Sequence, residues 1–235
     1  MTETSIGSVR ALATEFIGTF ALIFIGAGAA IALGVGHDPG VAFAHGLTIL
    51  VFVAAFGDIS GGHFNPAVTI GLATAGVFPS RRVTPYIVVQ PAGAIVAAFV
   101  LLWAYGGPVN HLATPLVDTQ RITLGGGFMF EAVGTGFLVT AVLHTAVRSP
   151  SRLAPVAIGL TITLCILDFG VLTSGAINPA RTIGPAVAAG LYGEVPLYVA
   201  AQLVGAIVAG ALYRSFWAQQ HTLGDMTVQS STAAE

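Results

Sequence analysis

Long apolar runs dominate the chain, and short polar segments separate them at fairly regular intervals. Each run is close to the ~20 consecutive apolar residues that a helix needs to cross a bilayer core. The first run follows the polar segment MTETSIGSVR without a small-residue cleavage site, which predicts a retained helix and not a signal peptide. The pattern predicts six membrane-spanning helices, over about 9–34, 41–58, 82–105, 126–147, 153–171 and 194–218.

The chain repeats itself once. HGLTILVFVAAFGDISGGHFNPAVTIG (45–71) resembles IGLTITLCILDFGVLTSGAINPARTIG (158–184), with a constant offset of 113 positions. Two further blocks recur in the same order, EFIGTF with EAVGTG upstream and QPAGAIVAA with QLVGAIVAG downstream. We therefore expect one transmembrane domain, 1–235, built from repeats of about 9–118 and 119–218 and followed by a polar, disordered tail, 219–235.

Each repeat contains three spans and one shorter helix, predicted over 65–77 and 178–190. Because three is odd, the second repeat enters the membrane from the opposite face, and the two repeats are inverted. The short helices have too few residues to cross, so each is expected to stop near the bilayer midplane, where their N-termini meet.

Both short helices begin at an Asn-Pro pair, Asn65-Pro66 and Asn178-Pro179. Asparagine oxygen caps the first turn, and proline is tolerated at the first helical position. The asparagine amides are then expected to point outward as donors, and the two helix dipoles add partial positive charge. Such a site favours acceptor oxygens and repels cations. The alternative is that Asn-Pro pairs simply start helices, but two matched copies inside spans argue against it.

Composition agrees with a membrane protein, since only 8% of the residues are charged and the mean hydropathy is +0.87. A soluble domain carries about 25% charged residues. Among the loop arginines only Arg121 lies on the side opposite the termini, so both termini are predicted to be cytoplasmic. The other loop arginines are Arg10, Arg81, Arg82, Arg148, Arg152 and Arg214. The single cysteine, Cys165, excludes an internal disulfide.

The segments SGGHFNPAVT and SGAINPARTIGPAV resemble the two signature loops of the major intrinsic protein family, the aquaporins and glycerol facilitators. The resemblance covers the chain outside its tail. It implies an all-α, right-handed bundle of six tilted helices with two re-entrant half-helices, assembled as a homotetramer with one pore per subunit. It also implies that Asn65 and Asn178, with Pro66 and Pro179, form a central constriction.

The same resemblance implies a narrower filter at His45, Ile166, Gly175 and Arg181. The repeat supports Arg181 independently, because its counterpart is Val68 and the shared fold therefore does not require a charge there. A fixed positive charge with free donors would reject cations. The alternative is that Arg181 ties down loop carbonyls, and both interpretations expect its remaining donors to be used.

Strict water channels have phenylalanine at the second-span filter position and histidine on the fifth span, whereas this chain has His45 and Ile166. Glycerol facilitators have tryptophan and glycine there and usually place aspartate after the arginine, where this chain has Thr182. The filter is more similar to that of some plant vacuolar aquaporins, which pass water and often ammonia.

Other polar residues in the spans raise further hypotheses. Glu15 and Glu131 suggest either a proton relay or, as the family implies, acceptors for the re-entrant loops. Asp58 and His63 are pore-lining candidates, and Asp168 is expected to pair with another group. Cys165 is expected to serve as a packing residue.

We expect a passive channel for water that excludes protons and ions and lies in the plasma or inner membrane. It is not expected to be an enzyme or to need a cofactor, a metal or a nucleic-acid partner. One alternative is a facilitator of small neutral solutes, such as ammonia, hydrogen peroxide, glycerol or urea. Another is a proton-coupled transporter, which also uses inverted repeats and half-helices.

Overall fold

The computed structural model describes residues 3–34 and 38–218. A short 3-10 helix covers Val109–Ala113, and eight α-helices are present in this part of the chain. Six are long, and their ends lie within two residues of the predicted spans once α1 is counted from Ser8. The predicted polar tail, 219–235, lies outside the described residues.

The six long helices have the following bounds. Helix α1 covers Glu3–Ala21 and continues through a π-helical turn, Leu22–Ala27, into Gly28–Leu33. Helix α5 covers Leu124–Val142 and continues as a second π-helical turn, Leu143–Arg148. The other four are α2 (Pro39–Ser60), α4 (Ser80–Tyr105), α6 (Ala154–Thr173) and α8 (Val195–Phe216).

The two short helices are α3 (Pro66–Thr74) and α7 (Pro179–Ala189). Helix α3 ends earlier than the predicted residue 77, because Gly76 adopts a left-handed conformation and the amide of Val77 folds back onto the carbonyl of Leu72. Both helices are far shorter than a bilayer core is thick, so they are re-entrant half-helices.

Small residues let the helices approach closely, both within each repeat and between the two repeats. Helices α2 and α6 cross at Gly46 and Gly159, where a Cβ on either residue would lie 2.5 Å from the other's carbonyl oxygen. Gly93 of α4 packs in the same way on the carbonyl of Phe16, and its repeat counterpart Gly205 packs on that of Ala132. Close packing by small residues is typical of membrane helices. The matched pairs show that both repeats use one packing scheme.

The outer surface of the bundle is apolar. Several large side chains expose between 63% and 83% of their surface, namely Val88, Trp103, Phe137 and Leu164. Side chains of this kind are stable in contact with lipid. With six helices long and apolar enough to cross a bilayer, the chain is an integral multi-pass membrane protein.

Candidate functional site

The loops before the two half-helices meet at the centre of the bundle in an unusual conformation. Phe64 and its repeat counterpart Ile177 have positive φ angles, 48° and 40°. Left-handed backbone is unfavourable for bulky and β-branched residues, so the surroundings must hold it in place. Both side chains are buried, and each fills the space beside a glycine of the first long helix of its repeat, Gly18 of α1 or Gly134 of α5.

Two buried carboxyl groups hold these loops. Glu15 of α1 accepts hydrogen bonds from the backbone amides of His63 (3.0 Å) and Phe64 (2.7 Å). It also accepts from the Ser60 hydroxyl and the Gln90 amide, both at 2.7 Å. These contacts satisfy donors that no water could reach inside a bilayer.

Glu131 of α5 makes the corresponding contacts in the other repeat. It accepts from the backbone amides of Ala176 (2.9 Å) and Ile177 (2.7 Å). The Thr173 hydroxyl (2.8 Å) and the Gln202 amide (2.9 Å) complete its four partners. Both oxygens of the carboxyl group are therefore occupied.

Asn65 and Asn178 lie where the half-helices meet. Each side-chain oxygen caps its own helix, with the amides of Ala67 and Ala180 at 2.8 and 2.9 Å. Each side-chain Nδ2 donates across the pseudo-two-fold axis, from Asn65 to the Ile177 carbonyl and from Asn178 to the Phe64 carbonyl, both at 2.9 Å. One of the two N–H groups of each amide therefore joins the two loops. The second N–H of each remains for the passage. Pro66 and Pro179 are buried beside them.

A narrow cavity of about 10 Å³ passes these asparagines, which line it together with His45, Ile166, Gly175 and Arg181. That volume corresponds to about one water molecule. Gly175 has a φ of +55°, and a Cβ there would lie only 3.1 Å from the Cα of Ile166. A larger residue at 175 would therefore strain the backbone and push against α6.

Arg181 and His45 contact each other at the wall of this cavity. The Nδ1 of His45 lies 2.9 Å from the carbonyl oxygen of Val41, which can only accept, so Nδ1 carries the proton. The Nε2 of His45 is then an acceptor, and Nε of Arg181 donates to it at 3.3 Å. His45 and Arg181 are 3% and 2% exposed, so the geometry of the pair is fixed by packing.

The Nη1 of Arg181 has no hydrogen-bond partner in the described part of the chain. Among the described residues, the guanidinium donates to His45 and not to a loop carbonyl, and the use of its remaining donors stays a prediction. Because Arg181 lines the cavity, this geometry leaves a charged donor available to an acceptor oxygen in the passage.

A wider cavity of about 830 Å³ lies towards the other face, and Asp58, His63 and the arginines Arg82 and Arg152 line it. The Nδ1 of His63 lies 3.0 Å from the Thr69 hydroxyl. That hydroxyl donates to the carbonyl of Asn65, so Nδ1 donates to it. The ring of His63 also packs against Phe78 and Tyr86. No metal-binding cluster of His, Cys, Asp or Glu occurs among the residues described.

Two residues of α6 lie away from the passage. Asp168 is exposed and has no hydrogen bond or ion pair with the residues the structure describes, so the expectation that it pairs was wrong. It lies near the end of its helix, where a carboxylate needs no protein partner if it reaches water or polar headgroups. Cys165 is buried, with its Sγ 4.0 Å from the carbonyl of Gly134.

Sequence reasoning missed several residues of the site. Gln90 and Gln202 bridge the buried glutamates to Thr69 and Thr182, with amide-to-hydroxyl distances of 3.1 Å. Their signal was present, because matched polar residues open the two blocks QPAGAIVAA and QLVGAIVAG. Leu22 and Leu138 line the narrow cavity, and each lies seven residues after a matched glutamate.

Comparison with known proteins agrees with this architecture. A sequence model described as "Major intrinsic protein" matches residues 2–213. The chain is 38% identical over 219 residues to "Aquaporin Z" of Brucella melitensis biotype 1, covering 86% of this chain and 96% of that one. It is 34% identical over 234 residues to "Aquaporin NIP1-1" of Zea mays, covering 97% and 82%.

A solved structure also shares the fold. The aquaglyceroporin from Plasmodium falciparum superposes with a TM-score of 0.76 at 25% sequence identity, over 92% of this chain and 99% of that one. The expected bundle of six spans and two half-helices is thereby confirmed.

Proposed function

Because the chain belongs to the major intrinsic protein family, whose members are channels for water or small solutes, we propose that it is a passive water channel that excludes protons and ions. The observation that carries this proposal is the constriction of about 10 Å³ lined by Asn65, Asn178 and Arg181. It admits water in single file, and residues at the N-termini of both half-helices offer it hydrogen-bond donors. We further propose a homotetramer in the plasma or inner membrane, with both termini in the cytoplasm.

The polar groups of the passage fit water and oppose cations. The remaining N–H of each asparagine and the partnerless Nη1 of Arg181 can donate to water oxygens. The N-termini of α3 and α7 meet there and add partial positive charge from their dipoles. A cation or a proton-carrying species would meet fixed positive charge, with no carboxylate among the residues that line the narrow cavity.

The second candidate function is the passage of small neutral solutes in addition to water or instead of it. The observation in its favour is the wall formed by Ile166 and Gly175, which is apolar and has no aromatic ring. Similar proteins include one called an aquaglyceroporin. Against large polyols stands the small volume of the constriction.

A proton-coupled transporter is disfavoured by the contacts of the buried acids. Each carboxyl group accepts four hydrogen bonds from its own loop region and neighbouring helices. A proton carrier at Glu15 or Glu131 would have to break these bonds in every transport cycle.

Stopped-flow light scattering on proteoliposomes tests the proposal, with water, glycerol and ammonia gradients and a pH-sensitive dye inside. We expect water flux well above that of empty liposomes, with a low activation energy and no acidification under a proton gradient. Flux that requires a proton gradient would contradict the channel, and solute flux without water flux would favour the second candidate.

Replacing His45 with phenylalanine is expected to lower glycerol permeability by about tenfold while water permeability falls less. The larger ring narrows the passage, and it removes the acceptor that holds Arg181. Leu47→Phe is the control, because it adds the same ring to an exposed position of α2. Unchanged relative permeabilities of glycerol and water in His45→Phe would place His45 outside the filter.

A further inference from the structure

Gly26 lies in the π-helical turn of α1, Leu22–Ala27, and the ring of His45 packs directly on it. A Cβ at Gly26 would lie 2.5 Å from Cδ2 of His45 and 2.7 Å from both Cγ and Nε2. Real Cβ atoms essentially never approach another heavy atom within 3.0 Å. The imidazole therefore occupies the space that any side chain at position 26 would need.

The ring cannot give way without a change at the filter. Its Nδ1 is held by the Val41 carbonyl, and its Nε2 is held by Nε of Arg181. Nε2 is also one of the atoms nearest to Gly26. Moving the ring away from α1 takes it towards Arg181 or into a cavity of about 10 Å³.

Backbone geometry gives no separate reason for glycine here. Gly26 is helical and is not among the residues with positive φ. Alanine is the better helix former at such a position. The space taken by His45 therefore remains as the explanation.

The internal repeat supports the same link. The counterpart of His45 is Ile158, and the counterpart of Gly26, counted from the matched glutamates, is Val142. Where the histidine is absent, a β-branched residue occupies the glycine's position. Arg181 also differs from its counterpart, Val68. Gly26, His45 and Arg181 are thus three contacting positions at which the two repeats have different residues.

We propose that Gly26 is a specificity-determining positioning residue, which admits the His45 ring to the site where its Nε2 holds Arg181 at the narrow passage. This rests on the proposed channel function and extends it from the residues that line the passage to one behind them. Water permeability and the exclusion of larger solutes depend on Gly26 through His45 alone.

The test compares Gly26→Ala with Gly28→Ala, since a Cβ at Gly28 would meet only Cδ2 of Leu101, at an ordinary 3.5 Å. We expect Gly26→Ala to lower water permeability by about fivefold or more, because overpacking displaces the ring. Gly28→Ala should stay within about twofold of the wild type, as expected for an ordinary van der Waals contact.

A double-mutant cycle identifies the route of the effect. In the background His45→Ala the ring is gone, so adding Gly26→Ala should change water permeability and the glycerol-to-water ratio by less than about twofold. If Gly26→Ala fails to fold but the double variant folds, the clash with the ring is the cause and the proposal stands. Additive effects, or failure of both variants to fold, would overturn it.

Nitrogen-15 NMR of the imidazole rings gives a readout that needs no transport, with the His45 signals assigned by their loss in His45→Ala. In the wild type we expect the Nδ1–H tautomer of His45 with a hydrogen-bonded Nε2. Gly26→Ala should shift the Nε2 resonance, and Gly28→Ala should not. A wild type without water flux would refute the channel function, whereas an unshifted Nε2 in Gly26→Ala would refute the positioning role.

Discussion

Glu131→Ala is expected to abolish recovery of a folded protein from the membrane. The substitution leaves four buried donors without an acceptor: the amides of Ala176 and Ile177, the Thr173 hydroxyl and the Gln202 amide. Each buried donor left unsatisfied costs about 1–3 kcal/mol. The sum, about 4–12 kcal/mol, is comparable with the whole stability of a typical domain, about 5–15 kcal/mol.

The local backbone increases this effect. Ile177 has a φ of +40°, which is unfavourable for a β-branched residue, and the carboxyl group holds its amide at 2.7 Å. Its carbonyl accepts from Asn65, so release of the loop also removes a bond between the two repeats. The change is therefore expected to loosen both half-helices.

Size-exclusion chromatography in detergent and thermal unfolding measure the outcome. Asp168→Ala is the matched control, since it removes an exposed acid of the neighbouring helix α6 that has no described partner. Glu131→Gln, which keeps one acceptor oxygen, should be intermediate in stability. A melting temperature for Glu131→Ala equal to that of Asp168→Ala would contradict the role of the carboxyl group.

Most of the fold follows from features that the sequence displays directly. Span length and low charge predict the six long helices, because a bilayer core sets a minimum apolar length. The odd number of spans in each repeat predicts their inversion. The end of α3 was missed because it depends on the left-handed conformation of Gly76, and the φ angle of a glycine cannot be predicted from the apolar residues around it.

The contacts of the site were less accessible. Asn65 stands out because the second repeat has asparagine at the matched position, and Arg181 stands out because the first repeat has valine there. The bond from Asn65 to the Ile177 carbonyl joins positions 112 residues apart and requires a positive φ at residue 177. No periodicity in the sequence reports such a contact.

Apolar and glycine positions were the hardest to assign. Gly26 resembles any packing glycine of a membrane helix, and only the position of the His45 ring distinguishes it from Gly28. Asp168 shows the opposite error, since an acid in an apolar run suggested a partner where the structure has an exposed side chain. Whether a side chain is exposed depends on how the helices pack, and the apolar run around it does not determine this.

Arg181→Val is expected to convert the selective end of the passage into a copy of the other repeat, where Val68 occupies the equivalent position. It removes a fixed charge of a residue only 2% exposed, together with the partnerless Nη1 donor.

The shorter side chain also widens the constriction of about 10 Å³. We expect glycerol permeability to rise by about tenfold and proton leak by about tenfold to a hundredfold, because an unscreened charge in a confined site opposes a cation by a few kcal/mol. Water permeability should change least, since water already passes.

The measurement is stopped-flow scattering for water and glycerol, with an internal pH dye for protons under an imposed membrane potential. Arg121→Val is the control, because Arg121 is exposed and pairs with Asp118 at 3.1 Å, away from the passage. Valine is already tolerated at the repeat counterpart, so the variant is expected to fold, and a normal elution profile verifies this. A folded Arg181→Val channel that stays closed to both glycerol and protons would show that the charge does not select, and that the asparagine constriction alone sets the barrier.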